Sequence, residues 1–187
     1  MLSFSSQAES CRWIFGYGSL MWRPGFEYLC QGPARLSGYH RRLSVYSNHY
    51  RGTDEKPGLV FGLDRGGSCA GMAFEIADDK WPEVLSYVRK REMITSVYRE
   101  IVKRVYLGEA TEPVLAVTYV VDRLHPQCAP PMSVEDTMAF VAQGHGLSGS
   151  CADYVRNTLA HLRSMDLHDA GLERLAPALE NLGSPHP

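Results

Sequence analysis

Phe15–Phe26 reads FGYGSLMWRPGF. A short apolar run, Arg12–Tyr17, ends there in a glycine-rich segment, which predicts a strand running into a loop. Gly16 and Gly18 let the backbone bend where a side chain would clash. A loop of this kind exposes backbone N–H groups, which suits it to grip something anionic. A plain tight turn is the alternative, and the rest of the chain has to decide between the two.

Outward from this stretch, the first two-thirds of the chain read as strands and turns. Leu59–Leu63 and Cys69–Ile76 flank Asp64-Arg65-Gly66-Gly67, whose turn chemistry predicts a hairpin. Tyr98–Leu107 and Val114–Val121 are rich in Val, Ile, Tyr and Thr and read as paired strands. The last third reads as helices. Ser133 with Asp136 resembles a capping box, Val134, Thr137, Met138 and Val141 follow at helical spacing, and Gly144 is a stop. Ser150 with Asp153 makes a second start, followed by Val155, Leu159 and Leu162. The tail Gly183–Pro187 is expected to fray. There is no internal repeat and no low-complexity linker. Many strands, one inserted helix and terminal helices predict an α+β domain with a mostly antiparallel, barrel-like sheet.

The totals exclude several function classes. A chain of 187 residues is long enough for one domain with a real core. The net charge is −2 and no long basic run occurs, which argues against nucleic acid as a partner. No apolar stretch is long enough to span a bilayer. The first residues lack the basic start and apolar run of a secretory signal. Cys11, Cys30, Cys69, Cys128 and Cys151 are scattered, odd in number and without a C-x-x-C pair. Reduced thiols in a cytoplasmic protein are the expectation.

The inserted helix is the most informative element. Asp79–Glu92 reads DKWPEVLSYVRKRE, with Asp79 as the expected cap and Pro82 in the first turn. Trp81, Val84, Leu85 and Val88 fall at i, i+3, i+4 and i+7 and make one apolar face. At about 100° per residue, Glu92 lies within about 20° of the direction of Trp81. Lys90 and Arg91 point elsewhere. The pattern therefore aims one carboxylate at the interior. Burial disfavours its ionised form and raises its pKa, which suits a Glu to accept and donate protons near neutral pH. The alternative is a helix that ends before Glu92, leaving it in solvent or paired with an Arg.

Other signals carry less. GHGLSG at Gly144–Gly149 matches G-x-G-x-x-G, but it follows a helix and lacks the βαβ setting of a dinucleotide site. A helix–helix connection with flexible glycines is expected instead. The seven histidines form neither H-E-x-x-H nor finger spacing, so no metal site is expected. Ser19 lies in G-Y-G-S-L, which is not a nucleophile elbow, and no His can be assigned to it as a base. It reads as a binding hydroxyl.

Five stretches occur together in an order that resembles the ChaC family of glutathione-specific γ-glutamylcyclotransferases. They are FGYGSLMWRPGF, YRGTDEKPGLVFGL (Tyr50–Leu63), CAGMAFEI (Cys69–Ile76), REMITSVY (Arg91–Tyr98) and GHGLSGSCADYV (Gly144–Val155). The likeness runs from about Trp13 to about Leu175. It implies a γ-glutamylcyclotransferase-like fold, a small mixed β-barrel with surrounding helices, over residues 12–178. Residues 1–11 would be an N-terminal extension and 179–187 a C-terminal tail. It also implies a reaction, glutathione to 5-oxoproline and Cys-Gly, without metal or organic cofactor. The resemblance puts the family's substrate-gripping segment at Tyr17, Gly18, Ser19 and Leu20, after Phe15 and Gly16. It puts the catalytic glutamate of its Arg-Glu motif at Glu92, and a site tyrosine at Tyr154. Two positions depart from the common pattern: Val97 stands where many members have Gly, and Cys151 where Asn is frequent.

These residue types suit that chemistry. The substrate carries its own nucleophile, the α-amine of the γ-glutamyl group, so no enzyme nucleophile is needed. One carboxylate of raised pKa can take the ammonium proton and return it to the departing amine. Folding the substrate back on itself is a positioning problem, and N–H groups of the Tyr17–Leu20 loop suit a carboxylate or a developing oxyanion. Tyr154 is expected to donate a hydrogen bond. Arg51 is expected either to balance a substrate carboxylate or to be a surface residue. A non-catalytic sensor of γ-glutamyl ligands, or a cyclotransferase for other γ-glutamyl compounds, is the second reading.

Overall fold

The computed structural model describes Ala8 and residues 11–182. The tail Gly183–Pro187 and most of the expected 1–11 extension lie outside the described residues. The chain forms two compact units, one from residues up to Arg41 with Leu63–His125, the other from Arg42–Gly62 with residues from Pro126 onward.

Five strands, drawn mostly from residues of the first unit, form a closed barrel. Its strands are β1 (Trp13–Gly16), β2 (Cys30–Ser47), β3 (Gly58–Glu75), β4 (Tyr98–Leu107) and β5 (Val114–Val121), in the order β1-β3-β2-β4-β5. β1 runs antiparallel to β3 from Trp13↔Glu75 to Gly16↔Met72, and parallel to β5 at Trp13↔Ala116. β4 and β5 pair from Tyr98↔Val121 to Val105↔Val114, as their β-branched and aromatic composition predicts. The barrel is thus small and mixed. Ile14, Phe15, Leu36, Phe74, Val105 and Val117 of its strands are all buried, each contributing about 1.5–3 kcal/mol of hydrophobic stabilisation.

One expectation fails here. Asp64–Gly67 is not a hairpin turn, because β3 continues through it as a single strand. Gly66 and Gly67 have φ of +99° and +67°, which fit a two-residue turn and a bend within a strand equally well. Neighbouring groups favour the bend. His40 on β2 lies 3.1 Å from the Gly66 carbonyl, and Asp64 is held by Arg123 Nε at 2.6 Å and by the Arg65 N–H at 2.8 Å.

Helix α1 (Trp81–Glu92) lies on this unit with Trp81, Val84, Leu85 and Val88 all buried, as the spacing predicts. Its start differs from expectation. Lys80 is the cap residue and no side chain caps the helix, so Asp79 stands one position too early. Pro82, which has no N–H to satisfy, and the acidic Glu83 suit the first turn instead.

The second unit is mainly helical. It contains α2 (Val134–Gln143), α3 (Cys151–Ser164), α4 (Ala170–Glu173) and α5 (Ala176–Asn181). α5 spans the expected start of the tail at residue 179. Ser133 and Ser150 cap α2 and α3 by accepting the N–H groups of Asp136 and Asp153, both at 3.0 Å. Val155, Leu159 and Leu162 are buried as expected, whereas Val134 is exposed, since it opens its helix ahead of the apolar stripe. Gly144–Gly149 is not a flexible connection. β6 (His145–Gly146) and β7 (Gly149–Ser150) form a two-stranded ladder. A Cβ on Gly144 would lie 2.5 Å from the Arg51 carbonyl oxygen and the Gly58 Cα, and one on Gly146 would lie 2.5 Å from the His49 carbonyl oxygen. These glycines allow close backbone approach.

Candidate active site

Glu92 is the last residue of α1. Arg89, Lys90 and Arg91 precede it in the last turn and complement the negative end of the helix dipole. The Glu92 side chain keeps 19% of its exposure, so it is recessed but reachable. Burial raises its pKa above the ordinary carboxylate value, against the opposing pull of Arg91. The interior-facing direction read from the helical wheel and the pairing with an Arg are both realised, since Arg91 Nε lies 3.5 Å from Glu92 Oε1.

The barrel braces this end of the helix. Arg89 donates to both oxygens of Glu100 on β4, at 2.8 and 2.7 Å. Tyr119 on β5 donates to Glu100 Oε2 at 3.0 Å. Burial first, then the Glu100 charge, pushes the Tyr119 phenol up, and Glu92 adds to this. Tyr119 therefore stays protonated.

The loop after β1 is held from its carbonyl side. Thr118 Oγ1 donates to the Phe15 carbonyl at 3.0 Å, and the buried Arg41 donates to the Tyr17 carbonyl at 2.6 Å. Ser19–Met21 form a short 3₁₀ turn. The carbonyls of Gly18 and Ser19 accept the N–H groups of Met21 and Arg23, each at 2.9 Å. A planar trans peptide points each N–H opposite to the carbonyl before it. The N–H groups of Gly18, Ser19 and Leu20 therefore face away from Arg41 and the turn. A Cβ on Gly16 would lie 2.8 Å from Leu20 Cβ, so glycine lets this loop close on itself.

Arg91 connects the loop to the helix, a role that sequence reading missed. Its Nη2 donates to Ser19 Oγ at 2.8 Å. Its Nη1 donates to the carbonyls of Arg23 and Pro24 at 2.7 and 3.0 Å. Only tertiary placement brings these residues together, because Ser19 and Arg91 are 72 positions apart. Phe15, Gly16, Tyr17, Gly18, Ser19, Leu20 and Glu92 thus all belong to the barrel unit, with Arg91 touching both the loop and the carboxylate.

Arg51 and Tyr154 belong to the second unit. The Tyr154 hydroxyl accepts the Phe61 N–H at 3.3 Å, and the Arg51 guanidinium stands 5.2 Å from the Tyr154 ring centroid. Arg51 Nη1 donates to the carbonyls of Ser148 and Ser150. Cys151 donates to the Leu59 carbonyl at 2.9 Å and accepts the Leu59 N–H at 3.3 Å. Burial pushes its thiol up to about 11. One sulfur thus serves both a donor and an acceptor, as an Asn side chain can. Among the described residues no group of His, Cys, Asp and Glu side chains is arranged to hold a metal ion.

Against known proteins, the sequence model of ChaC-like protein matches residues 12–182. The chain belongs to the ChaC-like family. Within the family, it is 30% identical over 170 residues to the glutathione-specific γ-glutamylcyclotransferase of Escherichia coli, covering 91% of this chain and 73% of the relative. It is 33% identical over 176 residues to glutathione-specific γ-glutamylcyclotransferase 1 of Danio rerio, covering 91% and 90%. In fold, the ChaC-like chain resembles the crystal structure of the yeast γ-glutamyl cyclotransferase specific to glutathione, with a TM-score of 0.84, 21% identity and coverage of 93% and 97%.

Proposed function

We propose that this ChaC-like protein is a γ-glutamylcyclotransferase that cleaves glutathione to 5-oxoproline and Cys-Gly, with Glu92 as the proton shuttle. The relatives named above support the substrate class. The observation that carries the mechanism is the recessed Glu92 carboxylate, its pKa raised by burial, together with a loop whose Gly18, Ser19 and Leu20 N–H groups point opposite to carbonyls already engaged within the protein.

In this reading the α-ammonium of the γ-glutamyl group gives a proton to Glu92. The freed amine attacks the γ-carbonyl carbon and forms the C–N bond of the lactam. The bond from that carbon to the cysteinyl nitrogen breaks as Glu92 returns the first proton to it, and the second proton, shed by the new lactam nitrogen, passes by the same carboxylate to Cys-Gly, which leaves as its ammonium. No electron is transferred, so no oxidant or reductant enters. Gly18, Ser19 and Leu20 supply N–H groups to the α-carboxylate or to the oxyanion, within a segment Phe15–Leu20 that we assign to substrate binding. Tyr154 and Arg51 are assigned to substrate as well, Tyr154 as a hydrogen-bond donor and Arg51 as a balancing charge. We further propose a cytoplasmic location, in keeping with five scattered cysteines that form no C-x-x-C pair in the sequence. No helix among the described residues is long and apolar enough to cross a membrane.

The test is a substrate panel of glutathione, γ-Glu-Cys and γ-Glu-Ala, with 5-oxoproline followed by mass spectrometry. Release from glutathione alone is expected. Release from the dipeptides instead keeps the chemistry and overturns the substrate. Binding of glutathione without turnover overturns the enzyme reading in favour of a sensor.

A further inference from the structure

We propose that Arg91 is a positioning residue that ties the Tyr17–Leu20 loop to the Glu92 carboxylate, keeping substrate grip and proton shuttle in register. This rests on the role given to Glu92 and the loop above.

The argument starts from the reach of one guanidinium. An Arg in the last turn of a helix needs nothing beyond water and the helix dipole. Arg91 instead spends its planar fork on two hydroxyls, two carbonyls and a carboxylate. Nη2 holds Ser19 Oγ at 2.8 Å, and Nη1 holds the Arg23 and Pro24 carbonyls at 2.7 and 3.0 Å. Nη1 also lies 3.3 Å from the Tyr87 hydroxyl, one turn back on α1. Nε faces Glu92 at 3.5 Å. A Lys ammonium is a single point charge and cannot span these acceptors together.

The segment that receives Arg91 is shaped for it. Gly25 has φ +77°, in the left-handed region, and directly follows the two accepting carbonyls. The place of a Gly25 Cβ is taken by the Tyr87 hydroxyl. Phe26 meets the Tyr87 ring at 6.3 Å. The stretch Trp22-Arg23-Pro24-Gly25-Phe26 is thus a docking turn for one face of α1, and Tyr87 and Arg91 are the residues that dock.

The charge of Arg91 acts on Glu92 as well. Around Glu92 the titratable neighbours are Arg91 on its own helix and Tyr119 of β5. Glu100 of β4 is held by Arg89 and Tyr119. Arg91 is the cation that opposes the burial of Glu92. Its loss raises the Glu92 pKa further, so the base form appears only at higher pH.

The experiment compares the wild type with Arg91→Lys, Arg91→Gln and Glu92→Gln, measuring kcat and KM for glutathione across the pH profile. Arg91→Lys keeps the charge and loses the fork. It is expected to raise KM on the order of tenfold with the acid limb of kcat near its wild-type position. Arg91→Gln is expected to raise KM similarly and to move the acid limb to higher pH. A folded Arg91→Gln protein with unchanged KM and acid limb overturns the proposal. Should Arg91→Gln fail to fold, a cycle of Ser19→Ala with Arg91→Lys decides. KM penalties smaller together than their product support the clamp, and independent penalties overturn it. Inactive wild type or active Glu92→Gln defeats the underlying reading, and these arms contain no Arg91 variant.

Discussion

Arg89 on α1 grips Glu100 on β4 through two parallel bonds of 2.8 and 2.7 Å. Through this fork the helix turn that presents Glu92 is fastened to the barrel wall. Glu100 is the better buried partner, at 15% side-chain exposure against 37% for Arg89. Glu100→Ala strands Arg89 and removes the acceptor of the Tyr119 hydroxyl. It should cost about 1–3 kcal/mol, read as a lower urea midpoint. An unchanged midpoint would show that the fork is ornamental.

Glu92 should make the protein less stable as pH rises. Its folded pKa lies above the ordinary value because burial disfavours the carboxylate. Between the unfolded and folded pKa values the native state holds the extra proton. Stability therefore falls as pH rises from the unfolded pKa through the folded one. Below the unfolded pKa the penalty is absent. Glu92→Gln cannot ionise, so its stability relative to wild type should improve across that window. Urea unfolding at several pH values checks this, and a Glu92→Gln protein that loses stability relative to wild type as pH rises contradicts it.

Gly25 should not tolerate a side chain. Its φ of +77° strains any residue with a Cβ, and the Tyr87 hydroxyl occupies the position the Cβ needs. Gly25→Ala is expected to cost about 1–2 kcal/mol and to raise KM, because the docking turn carries the loop. Adding Tyr87→Phe removes the obstructing oxygen and should recover part of the loss. Full stability in Gly25→Ala would mean that the turn is free to adjust.

Cys151 should be silent toward thiol reagents. It is buried, its thiol is pushed up to about 11, and it bonds both the N–H and the carbonyl of Leu59. Thiolate is the reactive form. Labelling of the folded protein should spare Cys151 and modify the exposed Cys30, with Cys151 reacting only in denaturant. Early labelling of Cys151 contradicts the bonding described for it.

The sequence made some of this legible and hid the rest for physical reasons. The direction of Glu92 is a local property, since helical geometry alone relates it to Trp81. The pairing of β4 with β5 was legible because both strands carry the composition of a half-buried sheet. Gly66-Gly67 misled because positive φ is shared by turns and bent strands, and only the neighbouring strand decides. Arg91 was unreadable as a clamp: a polar residue off the apolar face looks solvated until Ser19 and Pro24 are placed beside it. The glycines of GHGLSG looked flexible for the same reason, since the backbone of Arg51 and Gly58 crowds them only in the fold.

The most direct test of the central claim is the release of 5-oxoproline from glutathione by the wild type and by Glu92→Gln, both shown to be folded and to bind glutathione. The account predicts steady release by the wild type and near-complete loss in Glu92→Gln, with binding retained. Turnover by Glu92→Gln close to that of the wild type would contradict it, because the amide of Gln cannot take up and return the proton.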